Sequence, residues 1–215
     1  LKVSHIIYKV SDLEEAVREF KDRGFEVEMG SKKNPYNAII YFSEGPYLEL
    51  LASSGMPKFF KSLLRCFGKG RFADRLDYWD THKGGPCAVA LENYRKDLNE
   101  ESAVLKRNNQ GYFQMNSRRN DTKGRKLRFT CLFPDEMQIP FFMTYFNIDP
   151  KPKNFVHANG VKRIKNISFG TREQFIPIID ELCDDNTLTV FTGDGVKDLE
   201  FEYTAGMEGH KVDLR

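Results

Sequence analysis

The chain opens on Val3-Ser-His-Ile-Ile-Tyr-Lys-Val10, a β-branched and aromatic run that reads as a strand with Val3, His5, Ile7 and Lys9 on one face. Ser11-Asp-Leu-Glu14 then supplies a capping box, and Leu13, Ala16, Val17 and Phe20 recur at helical spacing until Gly24 ends the turn. Three further apolar or alternating runs follow: Phe25-Glu-Val-Glu-Met29, Asn37-Ala-Ile-Ile-Tyr-Phe42 and Tyr47-Leu-Glu-Leu-Leu51. The order is strand, helix, strand, strand, strand. Period-two alternation puts Asn37, Ile39 and Tyr41 on one face of the third strand, and Tyr47, Glu49 and Leu51 on one face of the fourth.

The pattern changes between residues 53 and 85, where Phe59, Phe60, Leu63, Leu64 and Phe67 suit short helices punctuated by Gly and Pro. This stretch reads as a helical connecting arm, whose Tyr78-Trp79 pair either packs on the rest of the protein or walls a cleft. Residues 86–147 repeat the order of residues 1–52, with strands at Cys87 to Leu91, Tyr112 to Asn116, Leu127 to Phe133 and Gln138 to Phe146, and a helix between Tyr94 and Lys106. Past the Asp149-Pro-Lys-Pro-Lys153 link, residues 160–215 begin a third, abbreviated pass. It has strands at Arg163 to Phe169, Leu188 to Thr192, Leu199 to Tyr203 and Lys211 to Leu214. Pro177 falls inside its helical pattern, so that helix begins late or bends. Internal repetition of an α+β unit, βαβββ, is the organising feature.

Composition narrows the function classes. The 33 Lys and Arg nearly balance 31 Asp and Glu, and a net charge of +2 gives no field that would recruit nucleic acid or an anionic membrane. The basic run from Arg118 to Arg128 contains Asn120, Asp121 and Gly124 and reads as a solvated hairpin tip. Four scattered cysteines, Cys66, Cys87, Cys131 and Cys183, lack metal-site spacing and suit buried free thiols in a reducing cytoplasm. Neither a long apolar span nor an export signal is visible. Leu1 in place of an initiating Met points to a short leading piece.

The segments SHIIYKVSDLEEAVREFKDRGFEVEMG and NAIIYFSEGPYLELLA closely resemble a glyoxalase-like domain of the vicinal-oxygen-chelate superfamily, and MTYFNIDPKPKNFVHANGVKRI is similar to a later stretch of that family. The resemblance implies paired βαβββ modules whose curled mixed sheets enclose a small-molecule cleft. It also implies a divalent metal (Zn, Ni, Mn or Fe) held by residues of the first and fourth strands of each module. His5 and Glu49 fall on those positions, an imidazole and a carboxylate suited to a mixed N/O site. The second module departs from the pattern, offering Pro86 or Cys87 and Thr144. Were the third module the partner, Asn166 would match His5 and Asp213 would match Glu49.

Each candidate has a plainer reading beside the functional one. His5 is a ligand or a hydrogen-bonded core group. Glu49, the candidate catalytic carboxylate, binds metal, moves protons, or is satisfied by His5 or Asn37, because an unpartnered carboxylate on an apolar strand costs several kcal/mol. Asn37 and Tyr47 face the cleft as candidate ligand contacts. Phe141, Phe142, Thr144 and Tyr145 line it or belong to the core. His157, in a His-Ala-Asn-Gly loop, either reaches ligand or marks a turn.

Three functions compete: a metal-dependent lyase, isomerase or dioxygenase acting on an oxygen-rich metabolite; a metal-free sequestering protein of the bleomycin-resistance type; and a regulatory or scaffold role for the arm. Module pairing within the chain, or across a two-fold axis in a homodimer, would complete the cleft.

Overall fold

The computed structural model describes residues 1–153 and 155–205. The first module comprises β1 (Lys2–Lys9), α1 (Leu13–Asp22), β2 (Glu28–Met29), β3 (Asn37–Ile40) and β4 (Tyr47–Leu51). The N-cap of α1 is Asp12, whose carboxylate accepts the Glu15 backbone N–H at 2.8 Å, and its buried stripe is Leu13, Ala16, Val17 and Phe20. The arm folds as α2 (Lys58–Cys66) and α3 (Gly70–Thr81). Then come β5 (Gly85–Asn93), α4 (Asn99–Arg107), β6 (Tyr112–Asn120), β7 (Lys126–Pro134) and β8 (Phe141–Thr144). The last described elements are β9 (Val161–Thr171), α5 (Ile176–Leu182), β10 (Leu188–Thr192) and β11 (Gly195–Tyr203). Pro177 sits in the first turn of α5, so the helix begins late, where the missing N–H has no intrahelical partner to lose. The Lys211 to Leu214 strand, and Asp213 with it, lie outside the described residues.

Eight strands form one mixed sheet in the order β2-β3-β4-β1-β5-β8-β7-β6. β1 and β5 run antiparallel at its centre, and each pairs in parallel with the last strand of its own half, β4 or β8. The two halves are therefore related by a local two-fold through the β1–β5 pair. β10-β9-β11 form a separate three-stranded sheet.

The faces of the large sheet are sorted by strand alternation. One face carries the main core: Ile6, Ile40, Leu48, Leu50, Leu91, Leu132 and Phe142 meet α1, α4, α5 and the small sheet. The opposite face is a second apolar layer, in which Ile7, Ala88, Ala90, Cys131, Phe133, Phe141 and Met143 meet Phe72, Leu76 and Trp79 of α3. On β8, Phe141 and Met143 thus look one way and Phe142 the other. Placing Phe142 in the cleft is corrected here: it is fully buried on the far face. Phe142→Ala should lower the unfolding free energy by about 3–5 kcal/mol in a urea titration, because a large buried ring leaves a cavity.

The arm is held over the second face by polar anchors. Arg75 of α3, 2% exposed, donates to the carbonyls of Pro134 and Glu136, both at 2.8 Å, tying the helix to the turn after β7. Lys61 of α2 binds Asp77 and Asp80 of α3, and Asp80 also accepts the Ser54 backbone N–H and hydroxyl. Cys66, expected among the buried thiols, is exposed on α2; Cys87 and Cys131 are buried and Cys183 is intermediate.

Candidate functional site

Between α3 and the second face of the large sheet lies a cavity of about 460 Å³, lined by residues of β1, β3, β4, β6, β7, β8 and the arm. That size suits a small molecule. Most of the lining is apolar, including Ile7, Ile39, Leu51, Phe72, Trp79 and Phe133, and its polar groups come from both halves: His5, Asn37 and Glu49 from the first, Ser117 and Arg119 from β6 of the second. Of the Tyr78-Trp79 pair, Trp79 walls the cleft and Tyr78 stays 37% exposed.

β1 brings in His5 by an irregularity. Strict alternation would set Val3 beside His5, but the β1–β5 register slips between them, so Val3 joins the main core while both Ser4 and His5 approach the cleft side. An extra residue of this kind re-aims side chains locally. The imidazole stacks on Tyr47, ring centroids 4.6 Å apart and planes 12° apart, and meets the edge of Phe141. Ile7 pairs with Glu49 on β4, and Glu49 pairs with Ile39 on β3, which sets Glu49 among apolar neighbours.

These groups form a continuous polar chain. Asn37 Nδ2 donates to Glu49 Oε1 at 2.6 Å, and Glu49 Oε2 lies 3.3 Å from His5 Nε2. His5 Nδ1 is 3.1 Å from Ser4 Oγ, which in turn lies 2.6 Å from Glu92 Oε2. Room for the Asn37 amide depends on Gly30, where a Cβ would fall 1.8 Å from the Asn37 Oδ1. Ser4 and Glu92 are 0% and 2% exposed, and the Glu49 side chain 16%. Burial pushes the His5 imidazole down to about 3, with smaller contributions from Arg119 and Lys151. Burial also raises the Glu49 carboxyl above its ordinary range, against the opposing Asn37 hydrogen bond and the Arg119 charge, and raises Glu92 similarly against its bond from Ser4.

Serine has a single hydroxyl proton, so the chain has two self-consistent proton patterns. If Ser4 donates to an ionised Glu92, His5 Nδ1–H donates to Ser4, Nε2 is an acceptor, and Glu49 carries the proton facing it. If Glu92 is protonated, every bond reverses: Glu92 donates to Ser4, Ser4 to His5 Nδ1, and Nε2–H to an ionised Glu49. Exchanging the patterns moves one net proton between the two carboxyls without displacing a heavy atom.

The remaining expected site residues fall elsewhere. Thr144 is buried, its hydroxyl accepting the Thr130 backbone N–H at 3.0 Å, and it does not line the cleft. His157 is enclosed by Phe25, Phe42 and Phe155, and its Nδ1 accepts the Glu26 N–H at 3.0 Å; it braces the loop on the opposite side of the sheet. Tyr145 turns outward to Asp149 at 2.7 Å. Asn166 belongs to the small sheet, accepting from Thr189 Oγ1 at 2.7 Å. Ser4, Glu92 and Arg119 are absent from the sequence reading. The basic run does form a hairpin tip, yet Met115, Ser117 and Arg119 alternate along β6 toward the cavity, a period-two signal hidden by the density of charge.

The metal set implied by the resemblance does not fit the residues present. With His5 opposite Ala90 and Ile7 opposite Ala88, the local two-fold carries His5 onto Ala88 and Ile7 onto Ala90. Because Ile7 pairs with Glu49 as Ala90 pairs with Phe141, Glu49 is carried onto Phe141. The second half thus contributes a methyl group and a phenyl ring, rather than the Pro86 or Cys87 and the Thr144 anticipated. Among the described residues no group of three or more His, Cys, Asp or Glu side chains is placed to hold a metal ion. Nor is any helix among them long and apolar enough to cross a membrane.

A mixed sheet of paired βαβββ halves around a cleft is the architecture of the vicinal-oxygen-chelate superfamily, and residues 3–181 match the glyoxalase-like domain model. The chain belongs to that glyoxalase-like family. Among solved structures, a hypothetical protein from Staphylococcus aureus is similar at a TM-score of 0.60 and 17% identity, over 91% of this chain and 88% of that one. An Mn(II)-bound glyoxalase from Novosphingobium aromaticivorans is similar at 0.49 and 10% identity, over 84% of this chain and 51% of that one. A methylmalonyl-CoA epimerase from Streptomyces coelicolor gives 0.41 and 16%, over 66% and 94%. No curated protein matches the chain.

Proposed function

We propose that the cleft belongs to an isomerase or lyase that moves a proton at carbon next to a carbonyl, with Glu49 as the acid–base group. The observation that carries this reading is a carboxyl lining the cavity, raised above its ordinary range by burial, and joined through His5 and Ser4 to a second buried carboxyl. A base tuned toward the working pH transfers protons most effectively. In the pattern where Glu92 carries the proton, Glu49 is ionised and receives the substrate proton. Asn37 holds its other oxygen, Tyr47 and Phe141 fix the imidazole plane, and α3 keeps bulk water from the reacting carbon. Return of the proton from Glu49 to a neighbouring atom completes an isomerisation.

The test is deuterium uptake from D₂O, followed by proton NMR, into the carbons flanking the carbonyls of 2-octanone, 2-hydroxyacetophenone and 2-oxooctanoate. Enzyme-dependent uptake into at least one of them is expected. Tight binding with no uptake into any would instead establish ligand capture, the reading favoured by the apolar lining around Phe72, Trp79 and Phe133.

A further inference from the structure

Arg119 is the cation that this reading of the cleft leaves unused. It reaches from β6 into the cavity, and its guanidinium lies 5.5 Å from the Phe146 ring centre. The arrangement holds a planar cation by its face, so its N–H donors all lie along the edge. Two hydrogen bonds occupy it, both to neutral acceptors: the Gly30 carbonyl at 3.4 Å and the Tyr41 hydroxyl at 3.2 Å. A guanidinium has five N–H donors, so about three remain unspent. Among the described residues no carboxylate forms an ion pair with it. The carboxylate that feels its charge, Glu49, is otherwise engaged with Asn37 and His5. Six other arginines, Arg65, Arg95, Arg107, Arg125, Arg163 and Arg172, do lie against a carboxylate, and buried Arg75 spends its donors on backbone carbonyls.

A half-buried guanidinium, stacked and facing a cavity with donors unspent, is a preformed anion receptor, because its fork matches the two oxygens of a carboxylate. We infer that Arg119 receives the carboxylate of an amphipathic oxo acid whose hydrocarbon end lies among Phe72, Leu76 and Trp79. The inference rests on the proton-transfer reading for the rest of the substrate: the carbonyl is set between the cation and Glu49. It names the class of ligand, a monoanionic carbonyl acid with an apolar tail, and makes Arg119 the residue that selects it over neutral ketones.

The experiment compares 2-oxooctanoate with its methyl ester by isothermal titration calorimetry and by deuterium uptake, using the wild-type chain, Arg119→Gln and Arg119→Lys. The wild type should bind the acid at least tenfold more tightly than the ester. Arg119→Gln should weaken the acid by about 10–100-fold and the ester by less than about threefold, the range of a charge-assisted pair. Arg119→Lys, which keeps the charge and loses the fork, should fall between and shows that the site survives substitution. Equal binding of acid and ester, or an Arg119→Gln loss shared by both, overturns the inference; uptake into the ester would then leave proton transfer standing. Failure of the acid to bind also overturns it. Arg119-dependent binding of the acid with no uptake into any probe supports the anion site and removes the proton-transfer reading alone.

Discussion

Glu49→Gln should reduce deuterium uptake by about 10²–10⁴-fold, the usual contribution of a positioned general base, while leaving the dissociation constant of the bound probe within a few-fold. Glutamine keeps the shape and the acceptor toward Asn37 but removes the carboxyl that would exchange a proton with His5 in the proposed reading. The same substitution should stabilise the protein at neutral pH. Burial raises the Glu49 carboxyl, so the folded state disfavours its ionised form. A carboxyl raised on folding leaves stability undiminished below its unfolded value, near 4.3, and lowers it as pH climbs through the folded value. The variant lacks this loss, so its midpoint in thermal unfolding above pH 7 should exceed that of the wild type. A chain whose activity and stability both fell would assign Glu49 a structural role instead.

Acid should destabilise the fold through two imidazoles. Burial lowers His5 to about 3 and His157 to about 4. Unfolded, each titrates near pH 6.5, so between about 6.5 and 4 the unfolded chain binds protons that the folded chain refuses, and stability falls with pH by up to about 1.4 kcal/mol per unit per histidine. The His157 environment makes the cause plain: three phenyl rings surround it. In urea titrations at pH 7, 6, 5 and 4.5 the raised Glu49 and Glu92 carboxyls oppose the imidazoles, and His157→Phe should make the fall in stability shallower than in the wild type by about one proton. The lost bond to the Glu26 N–H shifts that variant equally at every pH. An unchanged slope would show that His157 does not resist protonation.

The first half of the fold was legible because its signals were local. The capping residues and apolar stripe of α1 mark the helix, and alternation placed Asn37, Tyr47 and Glu49 along the cavity wall. Two kinds of information were not in the pattern. The register slip in β1 depends on how β5 pairs with it, so alternation alone put Val3 on the wrong side and left Ser4 unremarked. The facing of β8 depends on its parallel pairing to β5, where Phe141 opposes Ala90; a run of four apolar or small residues cannot reveal which of them the cavity takes. Glu92 closes a strand otherwise read as core, and only the tertiary contact with Ser4 distinguishes it from a strand-end carboxylate at the surface.

The two halves share a plan but differ in chemistry across their common axis, with His5 and Glu49 on one side and Ala88 and Phe141 on the other. A symmetric cleft would accept a small ligand in two orientations related by half a turn. Here His5 and Glu49 face Ala88 and Phe141 across the axis and make those orientations unequal, so under the proposed reading a carbonyl would enter one way round and present a single face to Glu49. The lopsidedness of the repeat thus becomes handedness: a prochiral carbon in this cleft should gain its deuterium from one side only, and the product should be a single enantiomer.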